Sequence, residues 1–343
     1  MTIKQFHTPA GDIDHITLTN AGGASVTLST LGAAIVAINV PDRDGRLADV
    51  VLGYRDPEAW LADGPCAGKV PGRYANRIAR GHFTLDGKEY SLAINNGPNA
   101  LHGGPTGFQN RIWSLVEADD THVLLEYVSA DGEEGYPGEL TAQARYTWTD
   151  DCCLRLDLQA TTTAPTVVNL TNHAYFNLNG HDSGTVLDHT LRLNAGSWLP
   201  TDDTLIPTGE IAPVAGTPMD FTAPKTIGAD IRADFPALKY GKGYDNCYVI
   251  DGTPGTLRTA AVLTAPDGRR TLTVATTQPG VQVYAGCWLA GCPESKTGTA
   301  YADYDGVAIE CQGYPDAPNR PQFPSQVLRP GETYSQTITF TFS

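Results

Sequence analysis

Three short segments carry groups able to trade protons. NLTNHAYFNL, residues 169–178, sets His173 among amide and hydroxyl side chains at the end of a run whose start, TVVNL, suits a buried sheet. VAIECQ supplies Glu310, and NNGPNALHGG, residues 95–104, presents His102 in a loop of glycines and asparagines that holds one imidazole in place. A glutamate is ionised near neutrality and serves as a base, whereas a histidine can carry the proton to be donated if a negative field favours its cation. A positioned pair of this kind moves two protons on one small ligand.

Strand parity indicates how these groups are positioned. In TVVNLTNH, Val168 and Leu170 share one face while Asn169, Thr171 and His173 share the other. In GVQVYAG, Val281 and Val283 oppose Gln282 and Tyr284, and in GVAIECQ, Val307 and Ile309 oppose Ala308, Glu310 and Gln312. A wet outer face would carry Lys, Glu, Thr and Arg. Short amides, imidazole, phenol and carboxylate are instead the inventory that grips small polyhydroxylated ligands, so the three strands together predict a concave binding face. The loop GRYANRIARGHF adds Asn76 and Arg77, and His7, His15, His122, His181 and His189 are read as incidental.

Alternating apolar and polar residues recur along the chain, as in ITLTN at 16–20, ASVTLST at 24–30, LRLDLQA at 154–160, TLTVATT at 271–277 and TITFTF at 337–342. This predicts antiparallel sheet with one face buried. HFTLDGKEYSL reads as a hairpin turning at Asp86-Gly87, and Asp267-Gly268 reads the same way. Helical signals are short: DPEAWLA from Asp56, with proline at the first helical position, and TIGADIRAD at 226–234. With 36 Gly and 24 Pro, the chain is expected to be all-β, a large antiparallel β-sandwich of extended sheets. No linker, repeat or low-complexity segment divides it, so residues 1–343 are read as a single domain.

Composition narrows the partners. The 343 residues are 41% hydrophobic and 18% charged, as a globular chain requires. Lys and Arg number 23 against 38 Asp and Glu, a net charge of −15 that argues against nucleic acid and acidic membranes. No apolar run approaches a membrane span and the N-terminal segment lacks a secretory h-region, so a cytoplasmic protein is expected. The seven scattered cysteines have no zinc-type spacing and are read as free thiols, and no metal is expected.

At this point the chain resembles the aldose 1-epimerase (mutarotase) family. The matching stretches are GRYANRIARGHFTLDGKEYSLAINNGPNALHGG at 72–104, NLTNHAYFNLNG at 169–180, YDNCYVI at 244–250, TTQPGVQVYAG at 276–286 and IECQGYPDAPNRPQFPSQVLRPGE at 309–332. They run in the family's order over nearly the whole chain. The resemblance implies a galactose mutarotase-like supersandwich with an open cleft on one face, and interconversion of the α and β anomers of free aldohexoses such as galactose and glucose without a cofactor. It implies Glu310 as general base, His173 as general acid and His102 as a second histidine near the ring oxygen. It also implies Asn76, Arg77, Asp245 and Gln282 as substrate contacts. Where relatives have small or amide residues, this chain continues AGCWLAGCPES, so Trp288 is expected at the rim and the preferred sugar stays open.

Anomer exchange needs a proton removed from the C1 hydroxyl and one added to the ring oxygen. Glu310 as carboxylate and His173 as imidazolium start in the right states, the net charge and Glu310 favouring the cation and placing the alkaline limb above about 6.5. A hexose-6-phosphate epimerase would need several cations around the phosphate, and basic residues are sparse. A glycoside hydrolase would need two carboxylates, Glu310 and Asp245 being the evident pair, and a sugar-binding module would need no acid and base. A small-molecule sugar is the expected partner, with monomer and homodimer both open.

Overall fold

The computed structural model describes residues 1–343. Its strands form three main antiparallel sheets. Thr2–Thr8, Gly11–Thr19, Ser25–Ser29, Ala34–Pro41 and Leu47–Asp49 make a five-stranded meander. A nine-stranded sheet runs in the order Ser114–Ala118, His122–Ser129, Leu140–Trp148, Cys153–Thr162, Tyr334–Phe342, Thr271–Thr276, Arg258–Thr264, Thr190–Leu193 and Lys225–Thr226. A six-stranded sheet orders Tyr175–Phe176, Val307–Gln312, Gly280–Tyr284, Asp245–Val249, Ser197–Trp198 and Ala212–Pro213.

The all-β expectation and its strands hold. Leu140–Trp148 alternates buried and half-buried residues throughout, and Leu156 faces Ile338 while Leu154 faces Phe340 across the next pair. One hydrophobic cluster of 62 buried residues runs from Ile16 to Phe342 and takes in Val281, Val283, Val307 and Ile309 from the six-stranded sheet. The predicted hairpin forms as His82–Leu85 against Lys88–Ser91, with Asp86 at φ 51 and Gly87 at φ 78, the left-handed pair a type I′ turn requires. Asp267-Gly268 does lie between Arg258–Thr264 and Thr271–Thr276, but only Gly268 takes a positive φ, 67, and its N–H donates to the Ala265 carbonyl, so the expected two-residue type I′ pair is not formed there.

Two further expectations fail. TIGADIRAD is not helical beyond isolated turns, and the only α-helix is Pro236–Tyr240, which begins just after that segment. The segment's first residue, Thr226, closes the edge strand Lys225–Thr226 instead of capping a helix, and the turns that follow place Ile227 and Ile231 in the core. The run before His173 is not a strand either: regular pairing stops at Thr166–Val167 and resumes at Tyr175–Phe176. Between them the backbone crosses the interior, tied to residues 68–75 by backbone bonds and an isolated Tyr74–Asn169 bridge, and its side-chain amides serve further backbone groups around it. Asn169 accepts from the Gly313 N–H at 2.8 Å and donates to the Ala75 carbonyl at 3.0 Å. Asn172 donates to the Gly68 carbonyl at 2.7 Å and accepts from the Ala174 N–H at 3.0 Å. The abrupt change of side-chain chemistry after TVVNL therefore serves the backbone first, and it aims His173 second.

The strands Val307–Gln312 and Gly280–Tyr284 are buried on both faces except at Tyr284. Valine and isoleucine fill one face at ~1.5–3 kcal/mol for each fully buried side chain. That margin lets the opposite face carry polar groups in a partly dry setting, at a cost of ~1–3 kcal/mol for each unsatisfied one. This opposite face is the floor of a cleft.

Candidate active site

The cleft has a volume of about 660 Å³ and is lined by Asn76, Arg77, His102, His173, Asp245 and Glu310 among others. Cross-strand register sets one face of the sheet beneath it: Gln282 lies opposite Glu310 and Asp245 opposite Tyr284, and of these four Glu310, Asp245 and Tyr284 reach the cleft. The short pair Arg77–Ile78 with Ala100–Leu101 brings the wall to meet it, with Arg77 opposite Leu101.

That pairing also fixes His102. The Asn76 carbonyl accepts from the His102 backbone N–H at 3.0 Å, and the Asn76 N–H donates to His102 Nδ1 at 3.1 Å. An imidazole nitrogen that accepts a backbone N–H carries no proton, so His102 is neutral with its proton on Nε2. Burial pushes its pKa well below the usual value, and the neighbouring His173 and Arg77 push the same way. His102 is thus a hydrogen-bond donor of fixed tautomer.

His173 and Glu310 form the centre of the site. His173 Nε2 lies 3.4 Å from Glu310 Oε1, and the side chains are 5% and 2% exposed. The His102 and His173 rings meet edge to face at 5.3 Å, and Tyr175 lies against His173 at 4.9 Å. Glu310 Oε2 and His173 Nδ1 have no partner in the protein.

The expected resting charges are overturned. Burial raises Glu310 well above the usual carboxylate range, with Asp245 adding to the rise. Burial lowers His173 to about 4, against a smaller upward push that includes Asp245. Net charge spread over the surface is too distant and too screened to offset the loss of water around a buried imidazole. The pair holds one proton, and its dry surroundings favour the arrangement in which neither partner is charged.

The remaining predicted residues gather beside this pair. Arg77 Nη2 approaches Asp245 Oδ2 at 3.4 Å, while its Nε donates to Asn96 Oδ1 at 3.0 Å. Gln282 Nε2 donates to Asp245 Oδ1 at 2.6 Å. Gln282 is buried and does not line the cleft, so its evident contact is with Asp245. Asn76 bonds its own side-chain oxygen to the Arg77 N–H at 2.8 Å. Trp288 stands on the rim, 63% exposed, with the Lys242 ammonium 4.4 Å from its ring. No other histidine lines the cleft.

Sequence reasoning missed Asn96, Tyr175 and the wall at Ala62, Gly64 and Pro65. That wall is held from within by Asp63 and Lys69, both fully buried and 3.4 Å apart, with Asp63 accepting from Tyr54 Oη at 2.6 Å and the Ala67 N–H at 2.7 Å. An Asp and a Lys spaced along an irregular segment carry no periodic signal; Asn96 was visible only as one of several loop asparagines.

His102, His173 and Glu310 place their ligand-type atoms within 4.8 Å of one another, the composition of a two-histidine, one-carboxylate metal site. The His102 tautomer argues against that use. Its Nδ1 is occupied as an acceptor and its Nε2 carries the proton, which leaves no lone pair for a cation unless the bond from Asn76 breaks.

The family model for aldose 1-epimerase matches residues 14–341. A galactose mutarotase of Bos taurus is 46% identical over 318 residues, 93% of this chain and 91% of that protein. An aldose 1-epimerase of Escherichia coli (strain K12) is 39% identical over 329 residues, covering 95% and 94%. The solved structure of a GalM/aldose epimerase homologue from C. elegans superposes with a TM-score of 0.88 at 34% identity, covering 96% of this chain and 98% of that one. By its sequence over nearly its full length, the chain belongs to the aldose 1-epimerase family.

Proposed function

We propose that the chain is a cofactor-independent mutarotase that interconverts the α and β anomers of free aldohexoses such as galactose and glucose. The observation that carries this reading is the buried His173–Glu310 pair at 3.4 Å, set in a cleft beside Arg77 and Asp245. The names of the relatives, galactose mutarotase and aldose 1-epimerase, support it.

In the proposed reaction Glu310 takes the proton from the C1 hydroxyl as the C1–O5 bond breaks, the C1 oxygen becomes a carbonyl, and O5 takes the proton from His173. The open aldehyde rotates about C1–C2 and recloses with both protons returned. Ring opening thus carries the enzyme from Glu310 carboxylate and His173 imidazolium to two neutral partners. Burial favours the neutral pair at rest, so each opening is preceded by transfer of the Glu310 proton to His173 Nε2 across the 3.4 Å gap, and the chemistry then returns the pair to its neutral form. His102 offers its Nε2–H to sugar oxygen. Asp245 accepts sugar hydroxyls and Arg77 donates to them, each held by the other and Asp245 also by Gln282.

The rivals fit less well. Arg77 is the only Lys or Arg lining the cleft, which leaves a sugar phosphate short of cations. Asp245 is engaged by Arg77 and Gln282 and is not free as a second hydrolytic carboxylate. We take residues 1–343 to act as one domain on a small sugar, a reading supported by the single large core cluster. A cytoplasmic setting is supported by seven free cysteines, and the absence of a nucleic-acid or membrane role by the charge of −15. No helix is long and apolar enough to cross a membrane. Monomer and homodimer remain equal readings. The test is polarimetry of freshly dissolved α-galactose and α-glucose: the protein should speed the approach to anomeric equilibrium, and an unchanged rate would overturn the reading.

A further inference from the structure

A second cavity of about 540 Å³ lies elsewhere on the chain, bounded by residues 254–255, 277–279, 324–328 and 332–336. None of its lining residues lines the catalytic cleft, although Asn169 and Gly313 line it from the same two segments that go on to His173 and Glu310. Its chemistry is almost entirely uncharged. Amides and hydroxyls dominate, no Lys, Arg or His is present, and the one ionisable carboxylate, Glu332, is exposed.

Two of its amides are held by their donor ends with their acceptor ends left over. Gln278 is 2% exposed, and its Nε2 donates to the Leu170 carbonyl at 3.2 Å and to Tyr334 Oη at 2.9 Å. Its side-chain carbonyl has no partner in the protein. Gln326 Nε2 donates to the Tyr314 carbonyl at 3.0 Å, and its buried Oε1 is also without a partner. Gln326 Oε1 is closed off from the cavity, whereas the Gln278 carbonyl belongs to a buried side chain that lines it, and an acceptor so placed is costly unless something donates to it. Donors without charge, in a space of this size, are the hydroxyls of a polyol. An anionic ligand would find no cation, and an apolar one would leave the Gln278 acceptor unmet.

We propose that this cavity is a second, non-catalytic binding site for a neutral polyhydroxylated small molecule, a free sugar or a cyclic polyol. The test is amide NMR of the full chain titrated to millimolar excess with two probes, D-galactose and myo-inositol, the latter lacking a ring oxygen and so unable to react. Saturable shifts are expected at the Gly255 and Gly313 amides. Their isotherm should be separate from that of Gly291 and His102 at the catalytic cleft. Thr333→Trp, at an exposed lining position, should abolish the Gly255 and Gly313 shifts while leaving the cleft isotherm and the polarimetric rate unchanged. Gln278→Met, which keeps length and removes the acceptor, should do the same. A response to galactose alone assigns the site to sugars, and a response to inositol assigns it to cyclic polyols generally. No saturable shift with either probe, or shifts that survive both substitutions, would overturn the proposal. Because the readout is binding at this cavity, its outcome is independent of whether the catalytic cleft turns over sugar.

Discussion

The backbone N–H of Asn76 points at Nδ1 of His102 from 3.1 Å, and this bond determines where the His102 proton sits. The ring can donate from Nε2 but cannot take up a second proton or offer a lone pair to a cation without losing that bond. Zinc at micromolar concentration is therefore expected to leave activity unchanged despite the two histidines and the carboxylate within 4.8 Å. EDTA should have no effect either. Inhibition by zinc that galactose relieves would mean that the bond from Asn76 yields and the trio closes around the ion.

The His173–Glu310 pair predicts an unusual pH profile. The working form holds one proton between the two groups. Falling pH adds a second proton at His173, whose burial sets that step at about 4, and the base is then lost. Rising pH removes the only proton as it passes the raised pKa of Glu310, and the acid is then lost. Plotted against pH, kcat/KM should be bell-shaped with its acid limb near 4 and its alkaline limb well above the ordinary carboxylate range. An acid limb near 6.5 would show that bound water or a charge offsets the burial of His173.

Glu310→Gln should lower kcat by ~10²–10⁴. It should also raise the melting temperature, because the carboxylate is 2% exposed and its Oε2 has no partner. The sign follows from the raised folded pKa. Above the ordinary value of 4.5 the unfolded chain ionises freely while the folded one must keep a proton or bury a charge, so stability is lost as pH rises past 4.5. The melting advantage of the glutamine variant should therefore be small at pH 4 and grow toward neutrality. A variant that melts lower at every pH would mean that the carboxylate is stabilised by groups the cleft does not display.

Much of this was legible in the sequence where the period is regular. Val281, Val283 and Ile309 alternate with Gln282, Tyr284 and Glu310, and the register places them as alternation predicts. The run at 168–173 was misread because alternation there is accidental: Asn169, Thr171, Asn172 and His173 are all buried, and the one bridge in the run, Asn169 with Tyr74, does not extend into a ladder. The charge state of His173 was misread for a different reason. Composition reports net charge, but the group's own loss of water dominates its titration, and only coordinates show that. The link between Asn76 and His102 was also illegible, since two loop residues 26 apart meet only when Arg77 pairs with Leu101.

Asp245→Asn should raise KM by ~10-fold with a smaller fall in kcat, since its hydroxyl contacts are made in both the ground and transition states. Gln282→Leu removes the 2.6 Å bond to Oδ1 but leaves Arg77 on Oδ2. Its KM should rise less than that of Asp245→Asn. A kcat loss in Asp245→Asn that exceeds its change in KM would place this carboxylate among the groups that move protons.

The loop after His102 has no room for a side chain. Gly103 has φ 78, where an L-residue is strained, and a Cβ there would lie 1.9 Å from the Gly72 carbonyl oxygen and 2.3 Å from its carbon. Those neighbours are backbone atoms, so Gly103→Ala must push His102 and its bond from Asn76 out of place. Gly97, in the same loop, has φ 56 but nothing within 4 Å of its Cβ. Gly97→Ala carries only the conformational penalty, ~1 kcal/mol, and should keep most of the activity. Gly103→Ala should melt lower than Gly97→Ala and, where still folded, lose kcat as well. The comparison is made by calorimetry and polarimetry on the two variants side by side. Equal melting points with wild-type turnover in both would mean that the loop shifts freely and that the rigid seat of His102 is not what the reaction requires.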